Sequence, residues 1–534
     1  MALTPLCCAA SVPPPVEDVN NVVDNTLDSL NKVKMLRPAA GSSRRGSNPV
    51  LFLVGNSTMR TGTRGNGDNG QWGWGFYMED YFDAQKITVE NHALGGTSSR
   101  SFYNTLWPDV LRGVQAGDWV FIELGHNDNG PYDAKRARAS IRGIGRDSLV
   151  VTIQETGRQE TVYTYGEYLR RYISQTRKKG AYPVLLSLTP RNSWTDSGKV
   201  VRADKTFGLW ARQVAAEQSV PFIDLNGITA LKYEKFGKYK VGYMFYGDAI
   251  HTSAFGAKVN AASAVDGIRE SDALSALAQL LKPEAKVKPA GVKRIAGRMA
   301  GKPLVFTIGD STVKNEDKDS TDMWGWGSVL GQYFDADKTA VDNQAMAGRS
   351  ARTYLDEGRW DRVYDALRPG DIVFIQFGHN DGGDINVGKA RGELHGAGDE
   401  SKVMLMAATR RYQVIYTYGW YIRKFAGDAI EKGAIPVVLS HTPRNRWTPE
   451  GAVARSSDTY GLWAREAAEA MGAYFVDLNE ISAAKLEQIG KSGALEYFKN
   501  DHTHTSLKGA HLNAQSIVEG VRALPDERIK SLLK

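Results

Sequence analysis

Apolar residues along this chain gather in short continuous runs, and the stretches between the runs carry apolar positions at helical spacing. The run Val305-Phe306-Thr307-Ile308 ends at Gly309, and the run Val50-Leu51-Phe52-Leu53-Val54 ends at Gly55. An unbroken apolar or β-branched run suits a strand covered on both faces, and glycine lets the chain turn sharply at its end. In the first half the pattern predicts strands at Val50–Val54, Ile87–Glu90, Trp119–Leu124, Tyr182–Leu188 and Pro221–Leu225. Helices are predicted at Trp74–Phe82, around Trp107–Val114, and at Glu167–Lys179, Thr206–Gln218 and Ala254–Ile268. In the second half strands are predicted at Leu304–Ile308, Thr339–Val341, Ile372–Phe377, Ile435–Leu439 and Tyr474–Leu478. Strands alternating with helices indicate a parallel sheet with helices on both faces.

The two halves are copies of one another. Gly125-His126-Asn127-Asp128 returns as Gly378-His379-Asn380-Asp381, Thr189-Pro190-Arg191-Asn192 as Thr442-Pro443-Arg444-Asn445, and His251-Thr252-Ser253 as His504-Thr505-Ser506. The repeat is the length of a whole domain, far longer than a solenoid unit. Residues 48–282 and 302–534 are therefore two tandem α/β domains, each with a five-stranded parallel sheet, and the Pro-, Lys- and Ala-containing stretch 283–301 is the expected linker. Residues 17–47 comprise an amphipathic helix with Val19, Val22, Val23, Leu27, Leu30 and Val33 at helical spacing, followed by a loop. Residues 1–16 are expected to be disordered or the remnant of a secretory signal, which points to a secreted or periplasmic protein. The stretch from Asn129 to Tyr163 is long for a connection in such a fold and predicts an excursion beside the site.

Composition narrows the function classes. The chain has 534 residues, 42% hydrophobic and 24% charged, with a net charge of +7. This is ordinary globular composition with a basic balance that suits an acidic partner. No Lys/Arg run is interleaved with aromatics, so nucleic acid is not expected as a partner. No apolar run reaches membrane-spanning length. The two cysteines, Cys7 and Cys8, lie outside both domains, so neither a domain disulfide nor a cysteine metal site is possible there. No His-Glu-x-x-His or glycine phosphate loop occurs, and the expectation is an enzyme without metal or cofactor.

The candidate chemistry sits where strands end, the edge at which open α/β sheets bind ligands. In the second half these positions carry Ser311, Gly348-Arg349-Ser350, Gly378-His379-Asn380-Asp381 and Asp501-His502-Thr503-His504. Together they hold the parts of a serine acyl-transfer site. Ser311 is a nucleophile once His504 takes its proton, and Asp501 orients the imidazole. The N–H groups of Ser311 and Gly348 and the amide of Asn380 supply donors for an oxyanion. The bland readings are a helix cap for Ser311 and Asp501, a turn glycine at Gly348 and a loop pair at Asn380-Asp381. They weaken because all of these residues fall at strand ends together. Neither serine lies in Gly-x-Ser-x-Gly, which argues against a nucleophile elbow.

At these residues the sequence resembles the SGNH (GDSL-type) hydrolases, with Ser311, Gly348, Asn380 and His504 as the four letters. Within them it resembles the rhamnogalacturonan acetylesterases, through Ile308-Gly309-Asp310-Ser311-Thr312, Trp324-Gly325-Trp326-Gly327, Ala347-Gly348-Arg349-Ser350, Tyr416-Thr417-Tyr418-Gly419-Trp420-Tyr421 and Asp501-His502-Thr503-His504. The resemblance covers nearly all of both domains. It implies two flavodoxin-like sheets and metal-free removal of O-acetyl groups from pectic rhamnogalacturonan, so the expected partner is an acetylated acidic polysaccharide, and a monomer is expected. The first half keeps Ser57, Gly96, Asn127, Asp248 and His251, so the same parts are present. It departs at Asn56, where the second half has Asp310, at Thr97, where it has Arg349, and at Ala249, where it has His502. Asn56 is expected to loosen the serine turn. Arg349, Arg352 and Arg444 are candidates to bind uronate carboxylates or, equally, to hold loops by ion pairs. Trp72, Trp74, Trp194, Trp324, Trp326 and Trp447 could stack on sugars, although burial is the better reading for the Gly-flanked pairs. Alternative functions are a carbohydrate-binding protein, a lipase or thioesterase of the same superfamily, and an esterase acting on another acetylated glycan such as xylan. The polar stretch Gly383–Met406 contains no apolar lid, which counts against long acyl chains.

Overall fold

The computed structural model describes residues 38–62, 65–283, 295, 297–316 and 321–534. The expected leader at 1–16, the helix at 17–36 and most of the expected linker lie outside the described residues. The chain divides into two compact units, the first ending at Pro283 and the second at Lys534.

In the first unit, strands β1 (Val50–Gly55), β2 (Thr88–Asn91) and β3 (Trp119–Glu123) lead to an antiparallel hairpin, β4 (Ser148–Thr152) and β5 (Gln159–Tyr163), before β6 (Tyr182–Leu186) and β7 (Phe222–Ile223). The main sheet has the order β2-β1-β3-β6-β7 with every pairing parallel. Every residue of β1 and β3 is buried, as continuous apolar runs require when both faces are covered. Val50, Phe52 and Val54 pack on one side with the helix Tyr165–Lys178, while Leu51 and Leu53 pack on the other with the helix Ala254–Glu270. Each such buried side chain stabilises the fold by about 1.5–3 kcal/mol.

The second unit repeats the plan. Its strands are β8 (Leu304–Gly309), β9 (Ala340–Asn343), β10 (Ile372–Gln376), the hairpin β11 (Ser401–Met406) and β12 (Arg411–Tyr416), β13 (Ile435–Leu439) and β14 (Tyr474–Val476). The main sheet runs β14-β13-β10-β8-β9, again all parallel. Among the described residues no helix is long and apolar enough to cross a membrane.

Three local readings need correction. The runs ending at Leu225 and Leu478 are not strand to their ends: the strands stop at Ile223 and Val476, and the two leucines begin the helices Leu225–Phe236 and Leu478–Ile489. A short apolar run does not show where extended chain turns into helix. The helix Ser99–Thr105, absent from the sequence reading, starts at Ser98, which forms a capping box with Ser101. The long connections before the helices Tyr165–Lys178 and Tyr418–Glu431 each contain a two-stranded hairpin, and the one in the first unit is largely exposed, so its alternation carries little hydrophobic signal.

Candidate active site

Both candidate serines lie directly after the first strand of their sheet. A Cβ placed on Gly309 would come 2.4 Å from the Gln376 carbonyl oxygen of neighbouring β10, so only glycine lets the strand end this close to its partner. Asp310, not Ser311, caps the short helix Ser311–Lys314: its Oδ1 accepts from the Thr312 N–H at 2.8 Å. Ser311 is thereby left to meet the histidine from the far end of the unit.

It does so in both units. His504 Nε2 lies 2.9 Å from Ser311 Oγ, and His504 Nδ1 lies 2.6 Å from Asp501 Oδ2. In the first unit His251 Nε2 lies 2.8 Å from Ser57 Oγ, and His251 Nδ1 lies 2.7 Å from Asp248 Oδ2. Each aspartate is fixed by its own turn, with Oδ1 accepting at 2.7 Å from the histidine N–H and from the preceding residue's N–H. Burial pushes Asp248 and Asp501 up, but the backbone N–H and imidazole of the histidine outweigh it, and both carboxyls sit below their ordinary value.

The neighbouring parallel strands end at the same edge of each sheet as the serines. Gly96 and Gly348 adopt φ values of 77° and 76°, the left-handed region that glycine occupies freely. Asn127 Nδ2 donates to the Thr97 carbonyl at 2.9 Å and Asn380 Nδ2 to the Arg349 carbonyl at 3.1 Å, which holds each amide beside its glycine turn. An amide nitrogen carries two hydrogens, so the second remains for a ligand. Behind the asparagines, His126 and His379 are buried and held neutral by desolvation, His126 down to about 3, and their Nε2 atoms pair with Thr189 and Thr442.

Asn56 does not loosen the serine turn. Its Oδ1 accepts from the Thr58 N–H and hydroxyl, both at 3.0 Å, as Asp310 does for Thr312. The acid has moved across the sheet instead. In the first unit Thr58 Oγ1 also lies 3.1 Å from Glu123 of β3, where the second unit has Gln376 donating to Thr312 Oγ1 at 3.0 Å. Desolvation pushes buried Glu123 up to about 8, so at neutral pH it is a carboxylic acid whose O–H can donate to Thr58 as the Gln376 amide donates to Thr312. Desolvation also raises Asp310, to about 6.

The remaining candidates separate. Arg349 Nε bonds Glu357 at 3.0 and 3.1 Å and its Nη1 donates to the Ala347 carbonyl, while Arg352 is 1% exposed and donates to the Ile385 and Ala390 carbonyls. Both side chains hold loops. Arg444 faces a cavity beside Asn380. Trp74 and Trp326 are fully buried with indole N–H groups on Glu123 and Gln376, as packing residues are, and Trp72 is buried too. Sequence reasoning missed Arg138 and Arg391. Arg391 Nη1 donates to Asn380 Oδ1 at 2.7 Å, and Arg138 Nη1 donates to the Gly96 carbonyl at 2.7 Å. Their signal was the shared basic-Ala-Arg stretch, Arg136-Ala137-Arg138 and Lys389-Ala390-Arg391, inside the long connection.

Two segments, residues 53–259 and 307–515, match the sequence model of the GDSL-like lipase/acylhydrolase family. The chain is 32% identical over 217 residues to a rhamnogalacturonan acetylesterase of Emericella nidulans, covering 41% of this chain and 84% of the relative. It is 30% identical over 241 residues to a rhamnogalacturonan acetylesterase of Bacillus subtilis, covering 42% of this chain and 93% of the relative. Among solved structures, an acetylxylan esterase of Geobacillus stearothermophilus aligns at 16% identity and a TM-score of 0.30, over 42% of this chain and 95% of that one.

Proposed function

The chain belongs to the GDSL-like lipase/acylhydrolase family and is a carboxylic ester hydrolase, and from that premise we propose that it removes O-acetyl groups from pectic rhamnogalacturonan in both units. The carrying observation is the continuous hydrogen-bond chain from serine through histidine to aspartate, present twice. In the second unit His504 Nε2 takes the Ser311 proton as Oγ attacks the acetyl carbonyl. The N–H groups of Ser311 and Gly348 and the free hydrogen of Asn380 Nδ2 receive the oxyanion. Collapse leaves acetyl on Ser311 Oγ, and His504 returns its proton to the departing sugar oxygen. Water, deprotonated by the same imidazole, then releases acetate. Asp501 holds the Nδ1–H tautomer and stabilises the imidazolium. Ser57, His251, Asp248, Gly96 and Asn127 play the same parts in the first unit. The pectic substrate is supported by the names of the relatives and by Arg391, Arg444 and Arg446 beside Asn380, which make no carboxylate ion pair among the described residues. Such a substrate goes with a secreted or periplasmic enzyme, and because each unit holds a whole site, a monomer suffices.

Acetate release from acetylated rhamnogalacturonan, acetylated xylan and a long-chain ester tests this reading. Turnover should be highest on the pectic polymer, fall in Ser57→Ala and in Ser311→Ala, and vanish in the double variant. Turnover confined to xylan or the long-chain ester would keep the serine chemistry and discard the pectic substrate.

A further inference from the structure

The long connections that follow β3 and β10 each bring one arginine back to the turns that hold the oxyanion donors, Arg138 in the first unit and Arg391 in the second. The residue directly before each is an alanine in the left-handed region, Ala137 at φ 39° and Ala390 at φ 47°. A side chain makes that region costly, and a residue stays there only where its surroundings hold it. A buried arginine braces the connection in each unit. Arg352 donates to the Ile385 and Ala390 carbonyls, and Arg100 donates to the Tyr132 and Ala139 carbonyls at 2.8 and 3.1 Å. An unfavourable turn present twice at the same place, and braced twice, points to the side chain that it delivers.

Neither Arg138 nor Arg391 forms an ion pair with a carboxylate among the described residues. Desolvation, with Arg136 nearby, brings Arg138 down to about 10, which leaves it a cation at neutral pH. In the second unit Arg391 Nη1 donates to Asn380 Oδ1 at 2.7 Å, while Asn380 Nδ2 gives one hydrogen to the Arg349 carbonyl at 3.1 Å. The amide is held at both ends, and only its second N–H remains for an oxyanion. A guanidinium can only donate, so it fixes the amide with the oxygen toward it. A flipped amide would aim an acceptor where negative charge develops. A charged donor on the amide oxygen also polarises the group and strengthens the remaining N–H as a donor. The same guanidinium lies against Gly348, where a Cβ would sit 3.5 Å from its Nη2 and 3.6 Å from its Cζ and Nη1.

Arg138 grips the other side of the corresponding turn. Its Nη1 donates to the Gly96 carbonyl at 2.7 Å, and its own carbonyl accepts from Ser98 Oγ. Asn127 Nδ2 is held by the Thr97 carbonyl, and no donor reaches Asn127 Oδ1 among the described residues.

We propose that Arg391 and Arg138 are positioning residues for the oxyanion donors and act on different ones: Arg391 sets the Asn380 amide, and Arg138 sets the glycine turn that presents the Gly96 N–H. Neither touches the ester. The proposal rests on the serine esterase reading of both units and is independent of which polysaccharide they act on.

The test is a pair of double-mutant cycles on a small acetyl ester, each in the full chain with the other unit's nucleophile removed. In the Ser57→Ala chain, Arg391→Met should lower kcat by up to about 10²-fold with KM nearly unchanged. Arg391→Lys, which returns a cationic donor, should recover part of that loss. In an Asn380→Ala background Arg391→Met should lower kcat by less than about threefold, because the group it acts through is gone. In the Ser311→Ala chain, Arg138→Met should lower kcat equally with and without Asn127→Ala. Thermal unfolding checks that each variant is folded, and Arg391→Gln takes the place of Arg391→Met in the same cycle if the latter is not. An Arg391 loss that multiplies with that of Asn380→Ala, a kcat within about twofold of the parent, or an Arg138 loss that disappears with Asn127→Ala overturns the assignment. Failure of the esterase reading shows separately, as a parent chain that releases no acetate. The crystal structure of Arg391→Met then decides: an Asn380 amide turned away from the Arg349 carbonyl supports the positioning role, and one left in place overturns it.

Discussion

The two units share a backbone plan and differ in where they keep their acids. Behind the nucleophile turn the first unit pairs Asn56 with Glu123, and the second pairs Asp310 with Gln376. Each arrangement leaves one carboxyl and one amide on the hydroxyl of Thr58 or Thr312. What the turn requires is one acceptor for the threonine N–H and O–H and one donor back to the hydroxyl oxygen. Two different residue pairs on two adjacent strands meet that requirement. Beside Asn127 and Asn380 the units differ in the opposite way: the first has Leu188 and Phe207 in its hydrophobic core, and the second has a polar cavity. The hydrogen bonds behind the serine turn are preserved by exchange, and the wall beside the asparagine is not.

The largest test of this equivalence is removal of each nucleophile. Ser311→Ala and Ser57→Ala should each lower turnover in their own unit by about 10⁴–10⁶-fold, read as acetate release from a small acetyl ester in the full chain. If either variant alone removes all activity, the units are not equivalent. Next, Asn380→Ala in a Ser57→Ala chain should lower kcat by about 10²–10³-fold. In the same chain Arg391→Ala frees the Asn380 amide to rotate and should lower kcat by up to about 10²-fold with little change in KM for a small ester. Arg138→Ala in the first unit frees the Gly96 carbonyl rather than the asparagine. A smaller loss there would sharpen the comparison, and an equal loss would show that both arginines act on the loop as a whole.

The exchanged acids give a stability test. Asn56→Asp places a second buried carboxyl on Thr58 and should destabilise the first unit, and adding Glu123→Gln should restore it, with a coupling of about 0.5–3 kcal/mol by thermal unfolding. Simple additivity would break the claim that the pairs are interchangeable. Glu123 also sets a pH dependence. Its folded value, about 8, lies above the ordinary carboxyl value, so the stability it allows is present at low pH and is lost as pH rises toward and through about 8. Glu123→Gln should therefore flatten the decline of the first unit's melting temperature between about pH 5 and pH 8. In the second unit the corresponding decline comes from Glu393 and Asp381, two buried carboxyls both raised, Glu393 well above its ordinary value by burial and by its neighbour. Ser140 replaces Glu393 in the first unit, so Glu393→Gln should flatten only the second transition. The smallest effect is expected for Arg349→Ala. Its partly exposed pair with Glu357 should be worth no more than about 1 kcal/mol, and uronate binding should not change.

Much of this molecule was legible along the chain. The runs Val50–Val54 and Leu304–Ile308 could only be covered strands, because a central parallel strand has no polar face. The repeat fixed two domains' worth of the same reaction parts, and the positions of Ser57, Ser311, Asn127, Asn380, His251 and His504 at strand ends placed them on one edge of each sheet. Local physics also fixed the caps, since an aspartate or serine two or three residues before an N–H can reach it without any other part of the fold. The helices after Ile223 and Val476 escaped notice because leucine suits strand and helix alike, and the choice is made by what lies next to it in space.

Tertiary structure alone decided the rest. Asn56 looked like a defect, since its compensation comes from Glu123, distant in sequence and adjacent only through strand pairing. Arg391 and Arg138 sit in similar sequence, yet one grips an asparagine and the other a glycine carbonyl. Sequence specifies which groups a chain owns and the local turns that present them. Which groups meet is settled only when distant segments pack.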